Sequence, residues 1–596
     1  MPIARFDDLA QGTSFALSDP VGSYTAHDLA DVTSALEWAQ CQSREGRWVA
    51  GYVSYDAAPA FDPALGASHR PDVPYAWFGA FAGRHVVTGR TDRTIAGRYD
   101  MSRWRPMVDR SAYEDAFATV RDHIRLGDTY QVNLTFPLRA AFSGDPAALY
   151  EDLLEAQEAG FACHVAHDDL AVLSVSPERF FAIDGGSITT RPMKGTRPRG
   201  RWDGEDDRLR SDLGASDKDR AENVMIVDLI RNDLGRIAEF GSVEVEELFA
   251  IEAYRTVWQM TSQVSADLRS DVSLIDVFSA LFPCGSVTGA PKARSMEIIE
   301  RLEPWARGIY CGAIGFIPPG DGLDGASFNV AIRTVVLHTS EGVGCYGVGG
   351  GITWGSDVHT EYEEALTKAN VLAADAMVPG VFTTARWDGS WVWLDEHMAR
   401  LAASCSRFAL PFDEAAIRRD LDEVAAGFDG PMRVRIAVQR SGRPSYTAEE
   451  APARFSTGPG PDADIVRLGI DFDPVDPTDL RLFHKTVDRS LYDQRAQRHR
   501  EWDDVLLTND RGMVTESTIA NLAVAVAGRW VTPPVSDGLL PGIMRGHLIE
   551  TGQLVERSVS VRDVVEAPAL AVFNSVRGWV PATLVPSGVG ASQPAR

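Results

Sequence analysis

Residues 217–240 read DKDRAENVMIVDLIRNDLGRIAEF, and four apolar residues in this stretch lie three or four positions apart. Ile226, Ile230, Leu234 and Ile237 therefore form one stripe, while acids and arginines occupy the other faces. The pattern predicts a long amphipathic helix that packs its stripe against a core.

Short β-rich segments precede this helix. Residues 170–191 predict a strand, a turn at Asp184-Gly185-Gly186 and a second strand. Residues 192–200 carry two prolines, which oppose helix, so we expect a loop with Lys194 inside it.

The same alternation continues after the helix. Residues 328–337 predict a strand, residues 347–351 a glycine-rich turn, and residues 360–377 a second long helix. Helices and strands that alternate in this way indicate a mixed α/β fold.

A break at Val378-Pro379-Gly380 marks the expected domain boundary. It predicts a first domain over residues 1–377 and a second over residues 381–596. Residues 432–438 and 505–508 predict new strands after the break, and the Gly/Pro-rich residues 456–464 predict a surface loop.

The composition is that of a globular protein with a strong acidic excess. The chain has 596 residues, 44% of them hydrophobic, and 84 acidic side chains against 58 basic ones, for a formal net charge of -26. That charge argues against a nucleic-acid partner and against an anionic membrane surface. A local cluster of arginines could still hold a small anionic substrate.

Cysteine usage and the N-terminus indicate the compartment. Six cysteines are scattered without a C-x-x-C pair, which predicts neither a disulfide framework nor a zinc site. The start, MPIARFDDLA, lacks a basic segment followed by an apolar one, and no run of eighteen apolar residues occurs. We therefore expect a cytoplasmic protein with no membrane partner.

Two pairs of carboxylates carry the chemical interest of the first domain. Asp219 and Glu222 are three apart on one predicted helix, and Glu361 and Glu364 are three apart on the other. Four such oxygen donors would suit Mg²⁺ if the helices met. The alternative is a solvated acidic face, in which Glu364 pairs with Lys368 four residues on.

Seven ordered motifs give the first domain a family resemblance. They are TYQVNLT (129–135), SPERFF (176–181), RPMKGTRPRG (191–200), AENVMIVDLIRNDLGR (221–236), GSVTGAPKARSMEII (285–299), AIRT (331–334) and GVGGGI (347–352). The set resembles the chorismate-utilising enzymes, which include anthranilate synthase and aminodeoxychorismate synthase component I. The resemblance implies a large α/β sandwich that binds chorismate over Mg²⁺ in a central cleft.

The resemblance also implies roles for single residues. Glu222 and Glu364 would bind the metal directly, and Asp219 and Glu361 would act through water. Arg333 would hold a substrate carboxylate. The rest of the pocket would be lined by Tyr310, Ser286, Gly349, Gly350 and Gly351.

Lys194 distinguishes between reactions of this family. The loop reads PMKGT here, similar to PIKGT in aminodeoxychorismate synthases and unlike PIAGT in anthranilate synthases. The resemblance implies that Lys194 is a nucleophile, although a loop cation that neutralises the substrate is the alternative. Gln259 stands where many relatives carry a proton-transferring His, which disfavours an anthranilate reaction. The chain has no glutaminase-like motif, so a glutamine amidotransferase partner is expected to supply ammonia.

A second ordered set spans residues 381–585. It consists of VFTTARWDG (381–389), LDEHMARL (394–401), HKTVDRSLY (484–492), TESTIANL (515–522), LLPGIMR (539–545) and FNSVRG (573–578). The set resembles the fold-type IV pyridoxal phosphate enzymes, and within them the aminodeoxychorismate lyases. The resemblance implies an α/β domain, and a homodimer through this domain is possible.

In the second domain, the resemblance implies which residues would bind the cofactor. Lys485 would bind pyridoxal phosphate covalently and then act as the base, and Glu516 would face the pyridine nitrogen. The phosphate would be held by Arg400, Ser575, and Ile543 and Met544 after Gly542, at the start of a helix. Thr384 and Arg577 would face the substrate.

Together the two resemblances predict synthesis of 4-aminobenzoate from chorismate in two steps. The alternatives are an anthranilate-type first domain, a second domain like the branched-chain or D-amino-acid aminotransferases, and a scaffold that binds such ligands without turnover.

Overall fold

The computed structural model describes residues 2–9, 12–87, 97–157, 160–320, 322–373, 378–408, 410–452, 455–458 and 465–585. The chain separates into two compact units. The first comprises Met1–Arg199 and Arg208–Ala376, and the second comprises Gly200–Asp207 and Met377–Arg596.

The strands of the first unit join one continuous, largely antiparallel sheet. They are β1 (Ile3–Asp8), β2 (Thr13–Ala26), β3 (Trp48–Val53), β4 (Ala76–Val86), β5 (Tyr99–Met101), β6 (Arg105–Pro106), β7 (Gln131–Gly144), β8 (Phe161–His167), β9 (Leu170–Ser176), β10 (Arg179–Asp184), β11 (Ser187–Arg191), β12 (Met193–Pro198), β13 (Glu244–Ala253), β14 (Val257–Asp267), β15 (Gly289–Ala290), β16 (Ala313–Ile317), β17 (Ser327–Val330), β18 (Thr334–His338) and β19 (Val343–Ile352).

Helices cover this sheet. They are α1 (Asp31–Arg44), α2 (Arg110–Leu126), α3 (Pro146–Gln157), α4 (Asp203–Ala215), α5 (Asp217–Leu234), α6 (Leu274–Leu281), α7 (Lys292–Leu302) and α8 (Val358–Thr367). Helix α4 begins in the short segment that groups with the second unit.

The cores explain why this is a sandwich. In β3, Val49 and Val53 face a core that includes α1, α5 and α6, whereas Ala50 and Tyr52 on the opposite face join a core built from strand and loop residues. A further core packs α2, α3 and α8 on β7 and β19. Strands of the one sheet therefore enclose a core between them, and helices lie on the outside, as the predicted α/β sandwich requires.

Helix α5 confirms the prediction for residues 217–234, and Ser216 caps it by accepting the N–H of Asp219. The chain leaves the helix at Gly235, so Ile237 lies beyond it although it is buried in the same core. The predicted turn at residues 184–186 is confirmed between β10 and β11.

Four local predictions are wrong. Residues 192–200 were expected as a loop, but Met193–Pro198 is strand β12, paired with β14. The strand expected over 328–337 is two strands, separated at Arg333 by its positive φ of 49°. Residues 347–351 were expected as a turn but lie within β19. The second helix ends at Thr367, a short 3₁₀ turn follows at Asn370–Ala373, and residues 374–377 lie outside the described part of the chain.

The second unit contains two sheets. Its strands are β20 (Gly380–Trp387), β21 (Trp391–Val392), β22 (Met432–Gln439), β23 (Pro444–Glu450), β24 (Val466–Ile470), β25 (Asp504–Thr508), β26 (Met513–Ser517), β27 (Asn521–Val526), β28 (Arg529–Thr532), β29 (Val555–Glu556), β30 (Val559–Ser560), β31 (Leu570–Asn574) and β32 (Gly578–Leu584). Its helices are α9 (Leu394–Arg407), α10 (Glu414–Ala425), α11 (Ser490–Arg498), α12 (Ile543–Glu550) and α13 (Val561–Glu566).

The smaller sheet has the order β21-β20-β22-β23, and the larger has the order β29-β28-β27-β31-β32-β24-β25-β26-β30. The strands predicted over 432–438 and 505–508 are confirmed as β22 and β25. The predicted loop over 456–464 lies mostly outside the described residues. Among the residues that the structure describes, no helix is long and apolar enough to cross a membrane.

Candidate active sites

One cleft in the first unit is lined by every site residue that the sequence predicted for that unit. These residues are Lys194, Asp219, Glu222, Ser286, Tyr310, Arg333, Gly349, Gly350, Gly351, Glu361 and Glu364. They come from strands, helices and loops that are far apart in sequence, and the fold brings them together.

Strand β12 positions Lys194. Its Nζ donates a hydrogen bond of 2.9 Å to the backbone oxygen of Ser286. Burial lowers the pKa of Lys194, and the nearby cation of Lys368 acts in the same direction. A larger share of the amine is therefore neutral, which a nucleophile requires.

Gln259 on β14 holds the backbone that follows this lysine. Its Nε2 donates to the backbone oxygen of Gly195 at 2.8 Å, and its Oε1 accepts from Thr196 Oγ1 at 2.9 Å. Gly195 has a φ of +87°, which favours glycine. Both polar groups of the buried amide are thus used to fix the segment after Lys194.

The glycines of β19 leave room for the cleft. A Cβ on Gly347 would lie 2.3 Å from the Tyr310 ring, and one on Gly351 would lie 2.1 Å from Gln131 and 3.1 Å from Lys194 Nζ. These glycines are needed for close approach in a strand and not for a turn.

Arg333 has an unused hydrogen-bonding group in the cleft. The residue is buried, and its Nη1 has no hydrogen-bond partner among the described residues. A buried guanidinium N–H without a partner is costly, and a substrate carboxylate would satisfy it.

The four carboxylates lie in the cleft, but each one has a cationic neighbour. Lys218 Nζ is 3.9 Å from Glu222 and 3.5 Å from Glu361, Lys368 is 3.1 Å from Glu364, and Arg197 is 2.7 Å from Asp219. No three acidic, His or Cys side chains in the described chain converge as a metal-holding group.

The donors nevertheless fit a divalent cation. Lys218 places a single positive charge between Glu222 and Glu361, and its side chain is 47% exposed, so it can withdraw. Burial raises the pKa of Glu222 against the opposing cations of Lys194 and Lys218, and the neighbouring carboxylates of Glu361 and Asp219 add to the rise. Hard carboxylate oxygens are the ligands that Mg²⁺ prefers.

Sequence reasoning did not single out Glu178, which also lines the cleft. Burial raises the pKa of Glu178 to about 7, against the opposing effects of Ser286 and Lys194. A carboxyl group that is protonated near neutral pH can donate a proton. Its place in the SPERFF motif was the available signal. Lys218 and Lys368 were likewise not proposed as cleft residues, and only their charge could have suggested them.

A cleft in the second unit contains Lys485, which lies between β24 and α11. The backbone N–H of Phe382 donates to the backbone oxygen of Lys485 at 2.7 Å. Burial lowers the pKa of Lys485 to about 7, and the cations of Arg400 and Arg489 add to this effect. The amine is therefore suited to form an imine and to accept a proton.

Glu516 on β26 lies in the same cleft with two donors. Tyr492 donates to it at 2.9 Å and Asn521 at 3.2 Å. Burial raises the pKa of Glu516 to about 8. Sequence reasoning named neither Tyr492 nor Asn521, although both lie within quoted motifs.

Arg400, Ser575 and Ile543 also line this cleft, with Gly542 capping the start of α12. Burial lowers the pKa of Arg400 to about 10, and among the described residues its guanidinium has a hydrogen bond only to the Thr383 hydroxyl, at 2.9 Å. A buried cation next to a helix N-terminus fits a phosphate. The side chain of Met544 lies in the hydrophobic core with Leu548 and Phe573, and its backbone N–H, the group that the prediction concerns, lies in the first turn of α12.

A family model described as chorismate binding enzyme matches residues 2–374. The chain belongs to the chorismate-binding enzymes. A second model, for amino-transferase class IV, matches residues 380–585. Both resemblances and the mixed α/β fold class predicted from the sequence are confirmed.

Three known chorismate-binding proteins illustrate the similarity. Aminodeoxychorismate synthase component 1 of Klebsiella aerogenes is 43% identical over 270 residues, which is 45% of this chain and 58% of the relative. Aminodeoxychorismate synthase of Streptomyces griseus is 46% identical over 275 residues, which is 46% of this chain and 37% of the relative. The crystal structure of anthranilate synthase component I from Streptococcus pneumoniae aligns with a TM-score of 0.52 and 25% identity, over 61% of this chain and 91% of that one. The chain thus spans little more than half, or less, of the length of these two curated relatives.

Proposed function

We propose that the chain converts chorismate to 4-aminobenzoate in two steps, the first in residues 1–377 and the second in residues 381–596. The observation that carries the proposal is Lys194 in the cleft with its amine beside Ser286 and Glu178, in a family where the matched relatives include aminodeoxychorismate synthases.

In the first step the neutral Lys194 amine adds to C2 of chorismate. A C–N bond forms at C2, both ring double bonds shift, and the C4–O bond breaks, so the hydroxyl leaves as water with a proton from Glu178. Ammonia then adds at C4, both double bonds shift back, and the bond between C2 and Lys194 breaks to return the amine. The new ammonium group returns a proton to Glu178. Arg333 holds a carboxylate of the substrate throughout.

Magnesium belongs to the same proposal. Glu222, Glu364, Glu361 and Asp219 would hold it, and it would supply positive charge near the departing oxygen. Lys218 has to leave the space between Glu222 and Glu361 for the ion to enter.

In the second step the amine of 4-amino-4-deoxychorismate lies at Lys485. Pyridoxal phosphate, when bound, supplies an electron sink for the electron pair that a removed proton leaves behind. Lys485 removes the C4 proton, the C3–O bond breaks, and the ring becomes aromatic. The enolpyruvate that leaves takes up a proton on its methylene carbon to become pyruvate. Glu516 would face the ring nitrogen of the cofactor and keep it protonated, and Arg400, Ser575 and the start of α12 would hold its phosphate.

Ammonia needs a source, and we propose a separate glutamine amidotransferase, as the name component 1 of the matched relatives suggests. A homodimer through the second domain and a cytoplasmic location also belong to this proposal. The location is supported by six cysteines that form no disulfide.

The test is a product assay on the purified full chain with chorismate, Mg²⁺, an ammonium salt and pyridoxal phosphate. We expect 4-aminobenzoate and pyruvate. Anthranilate as the product would refute the first step. Amino-group transfer that depends on added 2-oxoglutarate would identify the second unit as a transaminase, whereas a lyase needs no acceptor.

A further inference from the structure

A second cleft in the second unit opens on Lys485 from the side of β20 and β22. Its volume is about 610 Å³. Its lining includes Arg433 and Arg435 on β22 and Arg577 after β31. Arg435 and Lys485 approach the same aromatic ring, with the Arg435 guanidinium 3.7 Å and Lys485 Nζ 5.4 Å from the centre of Phe382. A ligand whose amine is held at Lys485 therefore extends past Arg435.

The arginines differ in whether their charge is already neutralised. Arg433 forms an ion pair with Glu449. Within the described chain, no carboxylate forms an ion pair with Arg435 or Arg577, and Arg435 is half-buried against Phe382. Arg489, at the same opening, donates to the Thr518 backbone oxygen at 2.8 Å and lies 3.6 Å from Asp493.

Arg435 is half-buried and Arg577 is exposed, and two guanidinium groups without an ion-pair partner among the described residues favour an anion at this opening. Burial lowers the pKa of Arg435, and Arg489 adds to the effect, so the arrangement costs free energy until an anion arrives. A guanidinium binds a carboxylate in a planar, two-pronged geometry.

We propose that Arg435 and Arg577 form a dicarboxylate subsite, in which each binds one carboxylate of a cyclic amino-dicarboxylate whose amine lies at Lys485. This proposal rests on the proposed function and deepens it. Aminodeoxychorismate carries two carboxylates, one on the ring and one on the ether side chain. An ordinary monocarboxylic α-amino acid carries only one, close to its amine, so the pair of arginines favours a dicarboxylate over a monocarboxylic amino acid.

The test uses the full chain loaded with pyridoxal phosphate, in a Lys194→Ala background that leaves the first unit inactive. Aminodeoxychorismate is the substrate, and chorismate is a competing dicarboxylate that lacks the amine. For Arg435→Met, which keeps a side chain over Phe382, we expect KM and the chorismate inhibition constant to rise at least ~10-fold, because a charge-assisted hydrogen bond is lost. The value of kcat should change less than about 3-fold, since the proton-transferring groups remain.

Arg433→Met is the matched control, because Arg433 lies two residues away on the same strand and in the same cleft but is already paired. It should change either constant less than about 3-fold. Arg435→Lys should recover part of the affinity, and Arg577→Met should weaken chorismate binding in the same direction as Arg435→Met.

Equal effects of Arg433→Met and Arg435→Met, or no effect of Arg435→Met on chorismate inhibition, would overturn the subsite. Failure of the parent chain to release 4-aminobenzoate from aminodeoxychorismate would instead refute the proposed function of the second unit. The two failures are thus separate outcomes.

Discussion

Glu178 titrates close to neutral pH, so the amination step should depend on pH there. Burial raises the pKa of this carboxyl group to about 7, and the acid form that donates a proton is lost above that value. We expect the amination kcat to fall as pH rises through about 7. Glu178→Gln cannot release a proton, so it should lower kcat by roughly 10²–10⁴-fold and abolish this dependence.

Asp56 provides a control for that pH profile. It is also buried with its pKa raised to about 7, but it accepts the N–H groups of Arg70 and Gly308 and does not line the cleft. Asp56→Asn should leave the decline above pH 7 in place. If the decline vanished with Asp56→Asn and persisted with Glu178→Gln, Glu178 would not be the proton donor.

Lys218 is expected to compete with Mg²⁺ for the carboxylates of the first cleft. Its ammonium lies between Glu222 and Glu361, so it must compete with a cation for the same carboxylates. Lys218→Met should therefore lower the Mg²⁺ concentration for half-maximal amination by about 3-fold or more. Arg231→Met, at the exposed end of the same helix and paired with Asp228, is the control and should leave the Mg²⁺ requirement unchanged. An unchanged requirement in Lys218→Met would place the metal elsewhere.

At the scale of elements, the pairing of β12 with β14 controls where Lys194 points. Gln259 on β14 bonds to Gly195 and Thr196, so Gln259→Leu would leave both groups without these partners. We expect kcat for amination to fall by roughly 10–100-fold through misplacement of the lysine. The KM for chorismate should stay within about 3-fold, because Arg333 is not attached to this segment.

The matched control is Gln263→Leu, which changes the same residue type four positions along β14, where the amide bonds to Glu246 at the surface. It should leave kcat unchanged. Thermal melts of both variants show whether any loss of rate reflects unfolding. A Gln259→Leu variant that melts lower but keeps its kcat would mean that Gln259 only stabilises the fold.

The same elements show what the sequence could predict. The stripe in α5 identified the helix, because a period of 3.6 residues is a local property. The sequence predicted a turn at the glycines of β19. These glycines instead make room for the ring of Tyr310 and the side chain of Gln131, and the sequence could not show this because both residues are distant along the chain. Likewise Pro192 directly precedes β12 and Pro198 is its last residue, since proline is tolerated at strand ends and irregular edges.

The sequence predicted those site residues that lie at known positions of recognisable motifs. The site residues predicted for the first unit all line one cleft, whereas the roles of Glu178, Lys218 and Gln259 follow only from their neighbours in the fold. The prediction for Met544 concerns its backbone N–H in the first turn of α12, and the burial of its side chain in the core does not bear on it.

At the scale of the whole molecule, net charge and local charge oppose each other. The chain carries -26, yet the first cleft contains Lys194, Lys218, Arg333 and Lys368, and the second contains Lys485 with Arg400 and Arg489. Small anionic ligands are thus attracted by groups within each cleft, and the surface repels larger polyanions.

Each cleft is lined by residues of one unit alone, so each reaction should survive loss of the other. Lys194→Ala should abolish amination and keep turnover of supplied aminodeoxychorismate, and Lys485→Ala should do the reverse. When the two full-length variants are mixed with chorismate, ammonium, Mg²⁺ and pyridoxal phosphate, 4-aminobenzoate should appear after a lag, because the intermediate must leave one chain and enter another. The lag should shorten as the Lys194→Ala chain is added in excess. If each variant keeps its own half-reaction but the mixture makes no 4-aminobenzoate, the intermediate does not pass through solution, and the two sites act only within one chain.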